Sequence, residues 1–238
     1  MSTVRLRDRT VVWYLALAAL SGSPAAHAQS QAVVVAILPF EDRGSYGQDK
    51  EVFRALQLGI PATIAGELAG HPELRLADAA RITRALPSGE VNSRIRLDAS
   101  TAAQVGKEAG ARYAITGSFA DFYGKIRLDA RIIDTGTGQI LKVVSNDPRQ
   151  DDRSQLYIII QTVGHKVLAA ASGSGSSRMP PANEERSIPT DALTEYSLGL
   201  LYEREGDNAR AGEHYQRAVA AYSDYRDAAA GLSRVRGS

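Results

Sequence analysis

The 238-residue chain contains no cysteine. That absence excludes disulfides, thiolate metal sites, thiol nucleophiles and lipid attachment through cysteine together. Neither sign of charge is in excess, because 28 basic and 27 acidic side chains give a formal +1. Taking Arg5, Arg7, Arg9 and Asp8 away with the leader described below leaves 25 basic and 26 acidic. A polyanion binder draws most of its affinity from concentrated cationic charge, so nucleic acid is not expected as a partner. The apolar run Val11 to Leu20 is about half the roughly 20 residues a membrane-crossing helix needs, so no span is expected in the mature protein. Catalytic templates are missing too: there is no Ser-x-x-Lys, Gly-x-Ser-x-Gly, His-Glu-x-x-His or Walker-type phosphate loop.

Metal and cofactor chemistry is not expected either. His71, His165 and His214 fall on different predicted elements, none spaced with a carboxylate as ligands are. Asp147, Asp151 and Asp152 lack the alternation and fixed glycine of a calcium loop. Hydrophobic residues at 44% and charged residues at 23% match ordinary globular usage, in a length that suits one or two domains.

The amino terminus reads as an export signal. Arg5 to Arg9 is a basic region, Val11 to Leu20 an apolar one, and Ala26-His27-Ala28 a small-residue cleavage site, which predicts cleavage after Ala28 and a periplasmic protein. Beyond it, Val33 to Leu38 is a β-branched run ending at Pro39-Phe40, read as a central strand buried on both faces. Phe53, Leu56, Ile60, Ile64 and Leu68 then recur at helical spacing, with a bend expected between Gln57 and Pro61 and eased by Gly59. A short strand is predicted at Leu74 to Leu76, a helix from an Asp78 cap to Leu86, and another from a Ser100 cap to Glu108. Tyr113 to Phe122 is strand-like, Tyr123-Gly124 a turn, and Ile126, Leu128, Ala130 and Ile132 alternate with Lys125, Arg127, Asp129 and Arg131. Asp134 to Gly138 turns the chain into Ile140 to Val144, completing an antiparallel meander, and Leu156 to Ala170 returns to helical spacing.

Residues 172–187 have the Ser, Gly and Pro content of a linker. The expected organisation is therefore a signal peptide at 1–28, an α/β domain at 29–171, the linker at 172–187 and a small all-α tail at 188–238. The tail helices are predicted near Thr190 to Glu205, Asn208 to Tyr222 and Asp224 to Arg236. The α/β domain is expected as a mixed sheet with the meander inside it and helices packed on it. In the loop Glu41 to Tyr46, which leaves a buried strand and enters a long helix, Asp42 and Arg43 are candidate partner contacts, because open α/β sheets place ligand contacts there.

Three phrases in series, Val35-Ala36-Ile37-Leu38-Pro39-Phe40, Gly110-Ala111-Arg112-Tyr113-Ala114-Ile115-Thr116-Gly117-Ser118 and Asp134-Thr135-Gly136-Thr137-Gly138-Gln139-Ile140-Leu141, resemble the CsgG, FlgO and TolB-amino-terminal group of envelope proteins. The resemblance covers roughly Ala32 to Ala171 and implies an α/β domain that assists assembly, secretion or activation of envelope machines by binding other proteins. CsgG-like pores use a lipidated cysteine and added hairpins, both missing here, so a soluble scaffold is expected instead of a channel. Leu198, Gly199, Tyr202, Ala211, Tyr215 and Ala218 resemble the seam of a tetratricopeptide repeat. The same resemblance places Tyr196, Leu200, Glu203 and Arg204 on a concave partner-binding face. The alternative is that the tail docks on its own α/β domain or on another subunit.

The function expected from these readings is non-enzymatic: a periplasmic protein that binds other envelope proteins, with no cofactor. A homo-oligomer and a peripheral contact with the outer membrane stay open. The competing readings are a sensor that binds a small ligand or glycan at the loop after the first strand, and a hydrolase acting on peptidoglycan or peptides.

Overall fold

A computed structural model describes residues 32–87, 96–146, 152–172 and 187–237. The expected export signal, most of the linker, and Asp147 and Asp151 lie outside the described residues. Gln31–Ser238 forms one compact unit. Among the described residues no helix is long and apolar enough to cross a membrane.

The sheet is five-stranded, in the order β2-β1-β3-β4-β5. Strand β1 (Val33–Asp42) runs parallel to both β2 (Leu74–Leu76) and β3 (Tyr113–Phe122). Strands β3, β4 (Lys125–Asp134) and β5 (Ile140–Ser145) form the antiparallel meander. The fold is thus mixed α/β, with helices on both sides of the sheet. On one face, Val35, Phe40, Ile115, Leu128, Ala130 and Ile132 pack against α1 (Lys50–Leu68) and α4 (Leu156–Ala171). On the other, Ala36, Leu38, Ala114 and Ile133 pack against Ile82 of α2 (Ala79–Ala85) and Ala102, Ala103 and Val105 of α3 (Ala99–Glu108). Period-two alternation in β4 sorts its side chains between these faces, as a strand with one apolar side requires.

Strand β1 runs four residues past Leu38, through Pro39, where the sequence suggests an end. Proline has no N–H to give a ladder, and the pairing with β3 shifts register between Ile37 and Phe40. The Thr116 hydroxyl donates to the Pro39 carbonyl at 2.7 Å and closes the gap. The cap of α3 is Asp98, two residues before the expected Ser100: its carboxylate accepts the Thr101 N–H at 2.7 Å.

Helix α1 is continuous through Pro61. Gly59 serves a close approach, since a Cβ there would lie 1.8 Å from Ser197 Oγ and 2.6 Å from Ser197 Cβ. Ser197 belongs to α5 (Thr190–Glu205), the first of three tail helices with α6 (Asn208–Ala221) and α7 (Arg226–Gly237). The tail therefore docks on its own α/β body. Ala55 packs with Leu198 and Leu201, the Tyr202 hydroxyl donates to Glu51, and Arg54 pairs with Glu205. Leu198, expected in the seam between α5 and α6, is buried against α1 instead.

Candidate functional site

The loop leaving β1 and the β3–β4 hairpin meet at one end of the sheet. Asp42 Oδ1 accepts the Gly44 N–H at 3.2 Å, the Ser45 N–H at 2.9 Å and the Ser45 hydroxyl at 2.7 Å, which folds the loop back on itself. Ser45, buried, accepts the Asp121 N–H on the same hydroxyl at 3.0 Å. The backbone continues the seam: Arg43 N–H donates to the Phe119 carbonyl and Tyr46 N–H to the Asp121 carbonyl, both at 2.8 Å.

Asp121 is the buried acid of this end, 1% exposed. One oxygen accepts the Gly124 N–H at 2.7 Å, and the other faces Arg153 Nη1 at 3.2 Å. The same Arg153 nitrogen lies 3.3 Å from Asp49 Oδ2, and the Arg153 N–H donates to the Gly124 carbonyl. Thr190, at the start of α5, donates its hydroxyl to the Ser154 carbonyl at 2.8 Å. One oxygen of this buried carboxylate is fixed by a backbone amide, and the other makes no hydrogen bond and is held by the charge of the guanidinium beside it. Among the described residues no group of three or more His, Asp or Glu could hold a metal ion.

On this scaffold stand three aromatic rings facing water. Tyr46, Phe122 and Tyr123 are 57%, 47% and 87% exposed. Tyr46 lies 5.7 Å from Phe122 and 6.0 Å from Tyr123, nearly parallel to the latter at 23°. Tyr123 and Gly124 form a two-residue hairpin loop with φ of +54° and +84°. That turn requires positive φ at both positions and prefers Asn-Gly, since a bulky side chain in the left-handed region costs roughly 1–2 kcal/mol. Among the described residues Tyr123 is the one non-glycine residue with positive φ.

The candidates read from sequence are scattered by this geometry. Asp42 is a loop-internal acceptor, whereas Arg43 is exposed and pairs with Glu41 at 3.5 Å. Tyr196 is 7% exposed, its ring 6.0 Å from Tyr215 and 4.9 Å from Tyr225. Burial raises its hydroxyl pKa well above the ordinary value. It is a core residue because α7 covers the face that the repeat alignment left open. Leu200 is half-buried against the same core. Glu203 accepts the Tyr215 hydroxyl and is held in a two-bond pair by Arg234, both at 2.9 Å. Burial pushes the Glu203 carboxyl up, but the hydrogen bonds from Arg234 and Tyr215 outweigh it and leave it below the usual carboxylate range. Arg204 is half-buried, and desolvation lowers its pKa.

The aromatic set was missed because its members fall in three separately read segments, Tyr46 ending the loop after the first strand, Phe122 ending a strand and Tyr123 in a turn. The available signal was the Phe122-Tyr123-Gly124 triplet: apolar rings at a hairpin tip where small polar residues are the norm.

No family model matches the chain, and no curated protein matches it. The resemblances to the CsgG, FlgO and TolB group and to tetratricopeptide repeats gain no support from these comparisons. Among solved structures the chain is similar to the LpoB C-terminal domain from Salmonella enterica, at 16% identity and a TM-score of 0.34 over 51% of this chain and 84% of that one. The LpoB C-terminal domain from Escherichia coli gives 17% and 0.35 over the same shares. A PelC dodecamer from Paraburkholderia phytofirmans gives 14% and 0.29 over 60% of this chain and 89% of that one. These likenesses are too distant to identify the chain.

Proposed function

We propose that this protein works in the cell envelope by binding another protein through the aromatic end of its sheet, and that it carries out no chemistry of its own. The observation that carries the reading is Tyr123. A tyrosine occupies a left-handed turn position where asparagine would cost less, and it leaves its ring in water. Local folding does not ask for that residue, and a contact outside the chain does. Tyrosines on a rigid base are typical anchors of protein interfaces, since little side-chain freedom remains to be lost on binding. Its expected role is to assist assembly, secretion or regulation of an envelope complex.

The test is Tyr123→Asn. The substitution should leave stability unchanged or raise it by up to about 1 kcal/mol, because it relieves the turn while losing the stack on Tyr46. A photo-crosslinking residue at position 123 should capture one envelope protein in cells, and Tyr46→Ala should abolish the capture. Absence of any protein adduct, with the fold intact, would overturn the proposal.

A second reading, binding of a glycan, is favoured by the near-parallel Tyr46 and Tyr123 rings. Saturable calorimetric binding of peptidoglycan fragments, lost in Tyr123→Asn, would establish it in place of the first.

A further inference from the structure

Strand β5 is the last of the sheet, and its side chains Ile140, Leu141 and Val143 are 44%, 53% and 54% exposed. The direction of its backbone groups follows from its pairing. The Asn146 N–H donates to the Leu128 carbonyl and the Leu128 N–H to the Asn146 side-chain oxygen, so residue 146 turns its N–H toward β4. Bonded and non-bonded pairs alternate along an antiparallel ladder, which makes Ala130–Val144 and Ile132–Lys142 bonded and turns Val143 and Ser145 away from β4. The Ser145 carbonyl confirms the direction, because it accepts Lys166 Nζ at the open side at 2.6 Å. Val143 thus presents both an N–H and a C=O outward.

We propose that β5 pairs antiparallel with β5 of a second copy of this chain, about a two-fold axis at Val143, to give a sheet continuous across both copies. The two-fold axis must keep each side chain on its own face, so only registers pairing odd with odd numbers and even with even are open. Centring on Lys142 would set two ammonium groups opposite each other in a close non-bonded pair, which is destabilising. Centring on Val143 places Lys142 opposite Val144 of the second copy and Val143 opposite itself, with two reciprocal N–H to C=O bonds at the axis. The β4–β5 pairing shifts register at Leu141, so the regular alternation ends at Lys142 and the two bonds at Val143 carry the pairing. The self-pairing covers the apolar side chains that an open edge otherwise leaves as an aggregation site. A strand pair of this length buries well under the roughly 1,000 Å² of a stable interface, so the dimer is weak and forms at high protein concentration.

The natural absence of cysteine makes the register directly readable. Single substitutions Val143→Cys, Lys142→Cys and Leu141→Cys in the intact chain are oxidised at high concentration, and the disulfide-linked dimer is quantified. Paired Cα atoms across the axis fall within disulfide range, so Val143→Cys should give about tenfold more dimer than either other variant. In sedimentation, wild type should show concentration-dependent dimer. Val143→Pro should be monomeric with an unchanged circular dichroism spectrum, because it removes only the outward N–H. Dominant crosslinking at position 142 overturns the register. Equal crosslinking at all three positions, or a wild type monomeric at every concentration, overturns the pairing and leaves the edge to a strand of another protein.

Discussion

Replacing Gly59 by alanine would drive a methyl group into the helix that crosses it. The new Cβ would lie 1.8 Å from Ser197 Oγ, 2.6 Å from Ser197 Cβ and 3.3 Å from Ser197 Cα. Turning the hydroxyl aside removes only the first clash, and it breaks the 2.7 Å bond from that hydroxyl to the Leu193 carbonyl. The second clash obliges α5 to move off α1. Overpacking of this kind costs about 1–3 kcal/mol, whereas alanine in a helix interior is worth about 1 kcal/mol over glycine. The net expectation is a loss of up to about 2 kcal/mol, measured by urea unfolding followed by far-UV circular dichroism. Ser197→Gly removes both clashing atoms, so in that background Gly59→Ala should reverse sign and stabilise by about 1 kcal/mol. If Gly59→Ala stabilised the chain in both backgrounds, the docking of α5 on α1 would be refuted.

Gly117→Ala should prevent soluble folding, since its Cβ would lie 2.0 Å from the Asp129 carbonyl oxygen and 2.5 Å from Phe40 in the middle of the sheet; recovery of a folded variant would count against the β3–β4 register. Gly124→Ala meets nothing within 4 Å and should cost only the roughly 1–2 kcal/mol of its φ of +84°, a contrast visible in the thermal midpoints. The Glu203 carboxyl is lower in the folded chain than its unfolded value near about 4.3, so its contribution is complete above that pH and fades as acid takes the pH through the folded value. Glu203→Gln should therefore be less stable than wild type at neutral pH, with the gap in Tm narrowing between about pH 5 and 3; a constant gap would contradict the Arg234 and Tyr215 bonds as its cause. Asp121→Ala should cost about 1–3 kcal/mol by urea unfolding, because it leaves the Gly124 amide without its acceptor and Arg153 with Asp49 alone; a neutral result would remove the anchor of the hairpin tip.

The meander was legible in the sequence because β4 alternates from Lys125 to Ile132, and the alternation over that stretch needs only one apolar face to produce it. The long first strand was legible as far as Leu38 and no further, because the continuation through Pro39 depends on a hydroxyl from Thr116, 77 residues away in sequence. The same limit hid the role of Gly59: a glycine beside a proline suggests a bend, and only the position of Ser197 reveals a crossing. For the tail, repeat offsets found the buried positions Tyr202, Ala211, Tyr215 and Ala218. They misplaced Tyr196, because a short repeat has no way to announce that α7 will cover its open face. The aromatic end was half legible, through Asp42 and the loop it folds. Tyr123 was not, because its ring gains meaning only beside Tyr46, brought there by strand pairing.

Helix α1 is clasped from both sides, with Phe53, Leu56, Ile60 and Ile64 toward the sheet and Ala55 and Gly59 toward α5. It is an inner layer, and the polar outer stripe that a surface helix keeps is here interrupted by small residues shaped for a neighbour. A chain cut before Thr190 would thus be an injured molecule with an apolar scar along α1, and its stickiness would mimic partner capture. Point changes on the exposed rings are the sound route to separating binding from folding in this protein.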